Sequence, residues 1–99
     1  MELLIFLFKS GLPMEEIAKA SEKRAEQYRK VKGLLQKFYV SDPTTGQVGG
    51  IFVFDSKKNL EAFRDSDLAK STGAVYKFAE PPSVRALEIA KVLHEHKGI

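Results

Sequence analysis

The stretch Gly49-Gly50-Ile51-Phe52-Val53-Phe54-Asp55-Ser56 decides the fold. Read as an extended strand, it puts Ile51 and Val53 on one face and Phe52 and Phe54 on the other. A sheet with one wet face alternates apolar and polar residues, and this strand does not. Both faces of its sheet therefore need a cover. Gly49-Gly50 weakens the start of the strand and predicts a bulge, or a close approach by another backbone or a ligand.

Working back from this strand, Ser41-Asp42-Pro43-Thr44-Thr45-Gly46 is turn chemistry, and Leu34 to Val40 reads as the preceding strand. Two strands joined by a short loop form an antiparallel hairpin, here with Val40 set opposite Val48. Gly33 stops a helix that runs from Pro13, with Glu15 and Glu16 in its first turn and Arg29, Lys30 and Lys32 at its end. Met14, Ile17, Ser21, Ala25, Tyr28 and Val31 recur at helical spacing and form its inner face. Before the helix, Leu3 to Phe8 is a six-residue apolar run ended by Lys9-Ser10-Gly11, a strand buried on both faces.

Working forward, Asp55 or Ser56 caps a second helix with Leu60 and Phe63 inside. Asp65-Ser66-Asp67 is a break and a new cap. Ala74 to Ala79 is expected as the fourth strand, with Tyr76 and Phe78 on one face and Val75, Lys77 and Ala79 on the other. Pro81-Pro82 ends that strand. Ser83 is expected to cap a third helix, with Val84, Leu87, Ala90 and Leu93 inward. The order predicts an α+β class chain, a ferredoxin-like βαββαβ sandwich with an added C-terminal helix, as a single domain over residues 1–99. The helices cover one face of the sheet. A second copy of the same sheet is the simplest cover for the other, so a homodimer is expected.

The composition narrows the chemistry. The chain has no cysteine, which removes disulfides, thiolate metal sites and a thiol nucleophile. Its net charge of +3 is spread over what read as solvated helix faces, so no nucleic-acid partner is expected. The opening apolar run lacks the basic leader and cleavage site of a signal peptide, and it is far shorter than the ~20 residues of a membrane span. A cytoplasmic protein with no membrane partner is expected. His94-Glu95-His96 does not put two ligands on one helix face, and no metal site is expected.

Residues Gly49 to Ser56, with Leu60 and Phe63 after them, resemble the third strand and second helix of dimeric α+β barrel proteins. Ser66-Asp67-Leu68-Ala69-Lys70 resembles the Ser-Asp-x-Phe-Lys turn of antibiotic-biosynthesis-type monooxygenases. Gly33-Leu34-Leu35-Gln36-Lys37 and Tyr76-Lys77-Phe78-Ala79-Glu80-Pro81 bring the chain nearest to the YdhR-type monooxygenases. The resemblance covers most of the chain, and its motifs describe fold more than catalysis. It implies a dimeric α+β barrel with a pocket between sheet and helices in each subunit, lined by the aromatic at the end of the third strand, here Phe54. Strand parity adds Phe52, and the hairpin register adds Gln36 and Phe38. Phe63, Leu68 and Tyr28 would close the pocket from the helices.

The resemblance further implies cofactor-independent monooxygenation of a small aromatic molecule, phenolic or polycyclic, with no cofactor. Such chemistry needs a group that removes or orients a phenolic proton. Family members place Trp, Asn or His there. This chain has no tryptophan, its one asparagine is Asn59 and its histidines lie at the C-terminal end. The candidates left are Tyr28, Tyr39 and Tyr76, then Lys37, Lys77 and Arg64. Haem-degrading relatives carry a histidine near the end of the second helix, and Lys70-Ser71-Thr72-Gly73 has none, so haem is not expected. A muconolactone-type isomerase and a non-catalytic small-molecule sensor are the alternatives within the barrel class. An RNA-binding RRM shares the element order, but it needs an open aromatic sheet face and a basic residue where Gln47-Val48-Gly49 stands.

Overall fold

A computed structural model describes residues 1–94. The chain order is β1 (Glu2–Phe8), α1 (Met14–Arg29), β2 (Leu34–Asp42), β3 (Gln47–Phe54), α2 (Lys57–Arg64), α3 (Asp67–Lys70), α4 (Thr72–Tyr76) and β4 (Ser83–Glu88). The four strands form one antiparallel sheet in the order β2-β3-β1-β4. This is the ferredoxin-like α+β arrangement, with the second helical segment broken into three short helices.

The breaks follow from local chemistry. Ser56 caps α2 by accepting a hydrogen bond from Asn59 N at 3.2 Å. Ser66 caps α3 in the same way, accepting from Ala69 N at 3.2 Å. Each serine satisfies a backbone donor that the first helical turn leaves without a partner. Ser56→Ala is expected to cost about 1 kcal/mol, measured by urea denaturation. α1 ends at Arg29 rather than running on to Gly33, and Gly33 turns the chain into β2 at a φ of +80°, where a side chain would strike Asn59 and Asp55.

Leu4, Phe6, Phe8, Val48, Phe52 and Phe54 occupy the sheet face under the helices, as the strand parity requires. Leu4, Phe54 and Leu60 are the most deeply buried side chains. They form one core cluster with Tyr28, Phe52 and Phe63, while Phe8, Val48 and Tyr76 form a second. The opposite face carries Leu3, Ile5, Leu7, Ile51 and Phe38, and Phe38 is exposed. The sequence reading of an apolar second face therefore holds for β1 and β3.

Three expectations are corrected. The fourth strand is not Ala74 to Ala79. That stretch holds α4 as far as Tyr76, and Lys77 then turns the chain at a φ of +51°. The strand lies instead at Ser83–Glu88, where a third helix was expected. Arg85, Ala86, Leu87 and Glu88 favour a helix locally, but the free edge of β1 offers a full ladder of backbone partners, and pairing prevails. The added C-terminal helix is absent among the described residues: Ile89 N continues the ladder by donating to Met1 O at 2.9 Å, and Leu93 is exposed.

The third correction is one of register. Leu34 stands opposite Phe54, as the straight hairpin requires, but a bulge then absorbs Leu35. Beyond it Val40 faces Gly49, not Val48. A slip of one residue moves every side chain to the other face. Lys37, Tyr39 and Ser41 therefore point under the helices, and Gln36 and Phe38 point away.

Candidate functional site

A cavity of about 380 Å³ lies between the inner sheet face and α1. Its floor is Phe6, Phe8 and Phe52, and its helical wall is Ile17, Ser21 and Tyr28. Phe63 and Tyr76 close it from the broken second helical segment. Gly50 keeps the floor open, and Gly49 lets β1 approach closely. A Cβ on Gly50 would come within 3.1 Å of Lys37 Cε and 3.0 Å of the Phe52 ring, and one on Gly49 would run into the Phe6 carbonyl oxygen. The glycine pair thus marks both a tight backbone approach and space for a side chain, as its place in the strand suggested.

Among the described residues Lys37 is the only charged one in the cavity lining. Its Nζ sits 3.3 Å from the centroid of the Tyr28 ring, 4.2 Å from Tyr39 and 4.9 Å from Phe52. The bulge in β2 puts it there. Burial of its ammonium, then the charge of Arg24, push its pKa from the ordinary 10.5 down to about 7. A lysine in that range offers a neutral amine near physiological pH, which is the requirement for a general base.

Behind the wall lies Arg24, which is 8% exposed. It donates from Nη2 to Leu68 O at 2.8 Å and to the Tyr28 hydroxyl at 3.2 Å, and from Nη1 to Ser71 Oγ at 3.1 Å. Its Nε is buried without a partner among the described residues. These bonds tie α1 to α3 and to the start of α4. They also make the Tyr28 oxygen an acceptor, which leaves the phenolic proton free to donate elsewhere. The Tyr76 hydroxyl lies 2.9 Å from Ser21 Oγ. Tyr39 is half exposed at the rim; burial first, then the nearby phenols of Tyr76 and Tyr28, push its hydroxyl above its ordinary pKa, so it stays a donor.

Tyr28, Tyr39 and Tyr76 all come together at the cavity, although Tyr76 arrives on a helix rather than a strand. Phe52 and Phe63 line it as well. Phe54 is fully buried in the core beside it, and Leu68 packs against that core without entering the lining. Gln36 and Phe38 are on the far sheet face. Arg64 lies outside the lining and pairs with Glu61 at 3.9 Å and Asp65 at 4.0 Å, and Lys77 is exposed beyond α4. Among the described residues no group of three metal-ligand side chains gathers. His94 is exposed, and Glu95 and His96 lie outside the described residues.

Arg24 was not singled out in the sequence, yet a signal was present. The inward stripe of α1 runs Ile17, Ser21, Arg24, Tyr28, at spacings of four, three and four, with Arg24 and Tyr28 buried. A charged residue inside an otherwise inward stripe marks a buried cation that needs partners.

A ferredoxin-like sheet with an aromatic cavity under its helices defines an α+β pocket protein. More specifically, the chain belongs to the ydhR family, whose model, described as "Putative mono-oxygenase ydhR", matches residues 3–79. No curated protein sequence matches the chain. Solved structures share its fold at low identity. A protein from Caulobacter crescentus, described as a putative antibiotic biosynthesis monooxygenase, is 18% identical with a TM-score of 0.73, over 91% of this chain and 90% of that one. A dimeric ferredoxin-like protein from Jannaschia sp. CCS1 is 16% identical with a TM-score of 0.65, over 90% and 100%. A variant of SnoaB from Streptomyces nogalater, described as a cofactor-independent oxygenase, is 10% identical with a TM-score of 0.73, over 95% and 97%. Among the described residues no helix is long and apolar enough to cross a membrane.

Proposed function

We propose that this chain is a cofactor-independent monooxygenase for a phenolic or polycyclic aromatic molecule, bound in the Lys37 cavity. The observation that carries the reading is a partly desolvated amine among aromatic faces in a cavity of ligand size. The neutral Lys37 amine takes the phenolic proton. The resulting phenolate is electron-rich enough to reduce dioxygen, and a carbon–oxygen bond forms at the ring carbon conjugated with it. The hydroperoxide so made loses water and leaves a quinone. One oxygen atom ends in the product and the other in water, and the substrate supplies every electron. The aromatic walls hold the ring and exclude water.

Oxygen uptake with a panel of naphthols and larger polycyclic phenols tests this, with no metal or flavin added. Uptake matched by quinone formation supports it. Saturable binding with no uptake overturns the oxygenase and leaves a binding protein.

The second sheet face supports a homodimer in which two sheets cover each other. Ile5, Leu7, Ile51 and Phe38 present an apolar surface there, and the fold neighbour from Jannaschia is described as dimeric. Light scattering is expected to give twice the 11.1 kDa of the chain. Ile51→Asp would bury an unpaired carboxylate twice in such an interface, at about 3–5 kcal/mol each. A folded monomer is the expected result. A wild-type monomer at high concentration would remove the dimer.

A further inference from the structure

We infer that the cavity selects aromatic ligands carrying an acidic oxygen, bound as the anion, over neutral and cationic aromatics of the same size. This rests on the reading of the cavity as an aromatic-ligand site and names the class of ligand that site takes.

Lys37 is in the lining, half-buried, and Arg24 lies behind it, buried. Neither forms an ion pair with a carboxylate among the described residues. Among the described residues no aspartate or glutamate lines the cavity. Buried cations are normally paired, because desolvated charge is costly. Here the protein supplies π faces and neutral oxygens instead: three rings around Lys37, and the Tyr28 hydroxyl, Ser71 hydroxyl and Leu68 carbonyl around Arg24. These groups stabilise the two cations without cancelling their charge. The field inside the cavity is therefore positive, and the missing counter-charge is left for the ligand to bring.

The donors are also arranged for an oxyanion. Tyr28 accepts from Arg24, so its own proton is free to be donated, and its ring lines the cavity and meets Lys37. An ammonium and a phenolic proton polarised by a guanidinium can receive the same ligand oxygen. A carboxylate, an ionised phenol and an enolate all present such an oxygen next to a flat ring. A cationic ligand would meet two like charges in a low-dielectric wall.

Isothermal titration of the full chain with three naphthyl probes tests the inference. At about pH 6, 2-naphthoate is an anion, 2-naphthol is neutral and 2-naphthylmethylamine is a cation. The expected order is naphthoate at least about tenfold tighter than naphthol, a difference of about 1.4 kcal/mol, with the amine weakest. Lys37→Met is expected to remove the anion preference while keeping naphthol binding, and Lys37→Arg to retain it. Naphthol binding as tightly as naphthoate to the wild-type protein overturns the inference and needs no variant to fold. The oxygenase reading fails separately: anion preference without oxygen uptake sinks the chemistry and leaves the ligand class standing. Absence of binding by all three probes overturns both.

Discussion

Lys37→Met is expected to lower kcat/KM for a phenolic substrate by about 10²–10⁴-fold, the range that general bases contribute. Methionine keeps the length and the apolar stem of the side chain and removes the amine. The wild-type rate should rise with pH through about 7, where the ammonium gives up its proton, and level above it. The variant should lose that limb. A stability measurement separates this from simple damage. Lys37 has a folded pKa of about 7 against an ordinary value of 10.5, so between these values the unfolded chain binds more protons. Folding stability contributed by this group therefore grows as pH rises through that window, and the cost of burying the ammonium is at its full size below it. Lys37→Met should flatten the slope and should be at least as stable as wild type at pH 6 and below. A variant that keeps full turnover would remove Lys37 from the chemistry.

Phe54→Ala carries the largest expected loss of stability, about 3–5 kcal/mol. Phe54 is fully buried, with ring centroids 5.5 Å from Phe63 and 6.5 Å from Phe52. It packs with Leu4 and Leu60, so its ring joins the two central strands to α2. A domain of this size has ~5–15 kcal/mol of stability to lose, and thermal unfolding should move down by more than about 10 °C. Phe54→Leu, which leaves a smaller void, should cost less. The pair also tests whether this residue touches ligand. If Phe54 is core, Phe54→Leu should leave probe affinity near the wild-type value while the midpoint of urea unfolding falls. A selective fall in affinity with unchanged stability would put Phe54 in the site after all.

The parts of this molecule that read plainly in sequence are those whose signal is local and strong. Leu3 to Phe8 is too short and too apolar to be anything but a buried strand. Ser56 and Ser66 stand at helix starts for the reason their hydroxyls can accept an amide proton. Gly33 turns the chain into β2, where its positive φ and the nearness of Asn59 and Asp55 leave no room for a side chain, while α1 itself ends earlier, at Arg29. The edge strand β4 was hidden because Ser83 to Glu88 has helical propensity, and its conformation is fixed by β1, some eighty residues earlier in the chain. The face of β2 was hidden because one bulged residue decides it, and periodicity carries no mark of where a strand stumbles. The tyrosines of the cavity were legible as residue types. The central role of Lys37 in its lining was not, since it depended on that bulge.

The bulge at Leu35 has a consequence for how this protein can change. One strand inscribes two surfaces, and a single step of sliding exchanges them. Were β2 to pair straight from Leu34, Gln36 would come to rest opposite Phe52, Phe38 would enter the hollow, and the amine would be exported to the face proposed to meet a twin subunit. Ligand chemistry and self-association are thus geared together at one backbone irregularity. Evolution could retune either by point substitution, but a shift in frame would forfeit both at once.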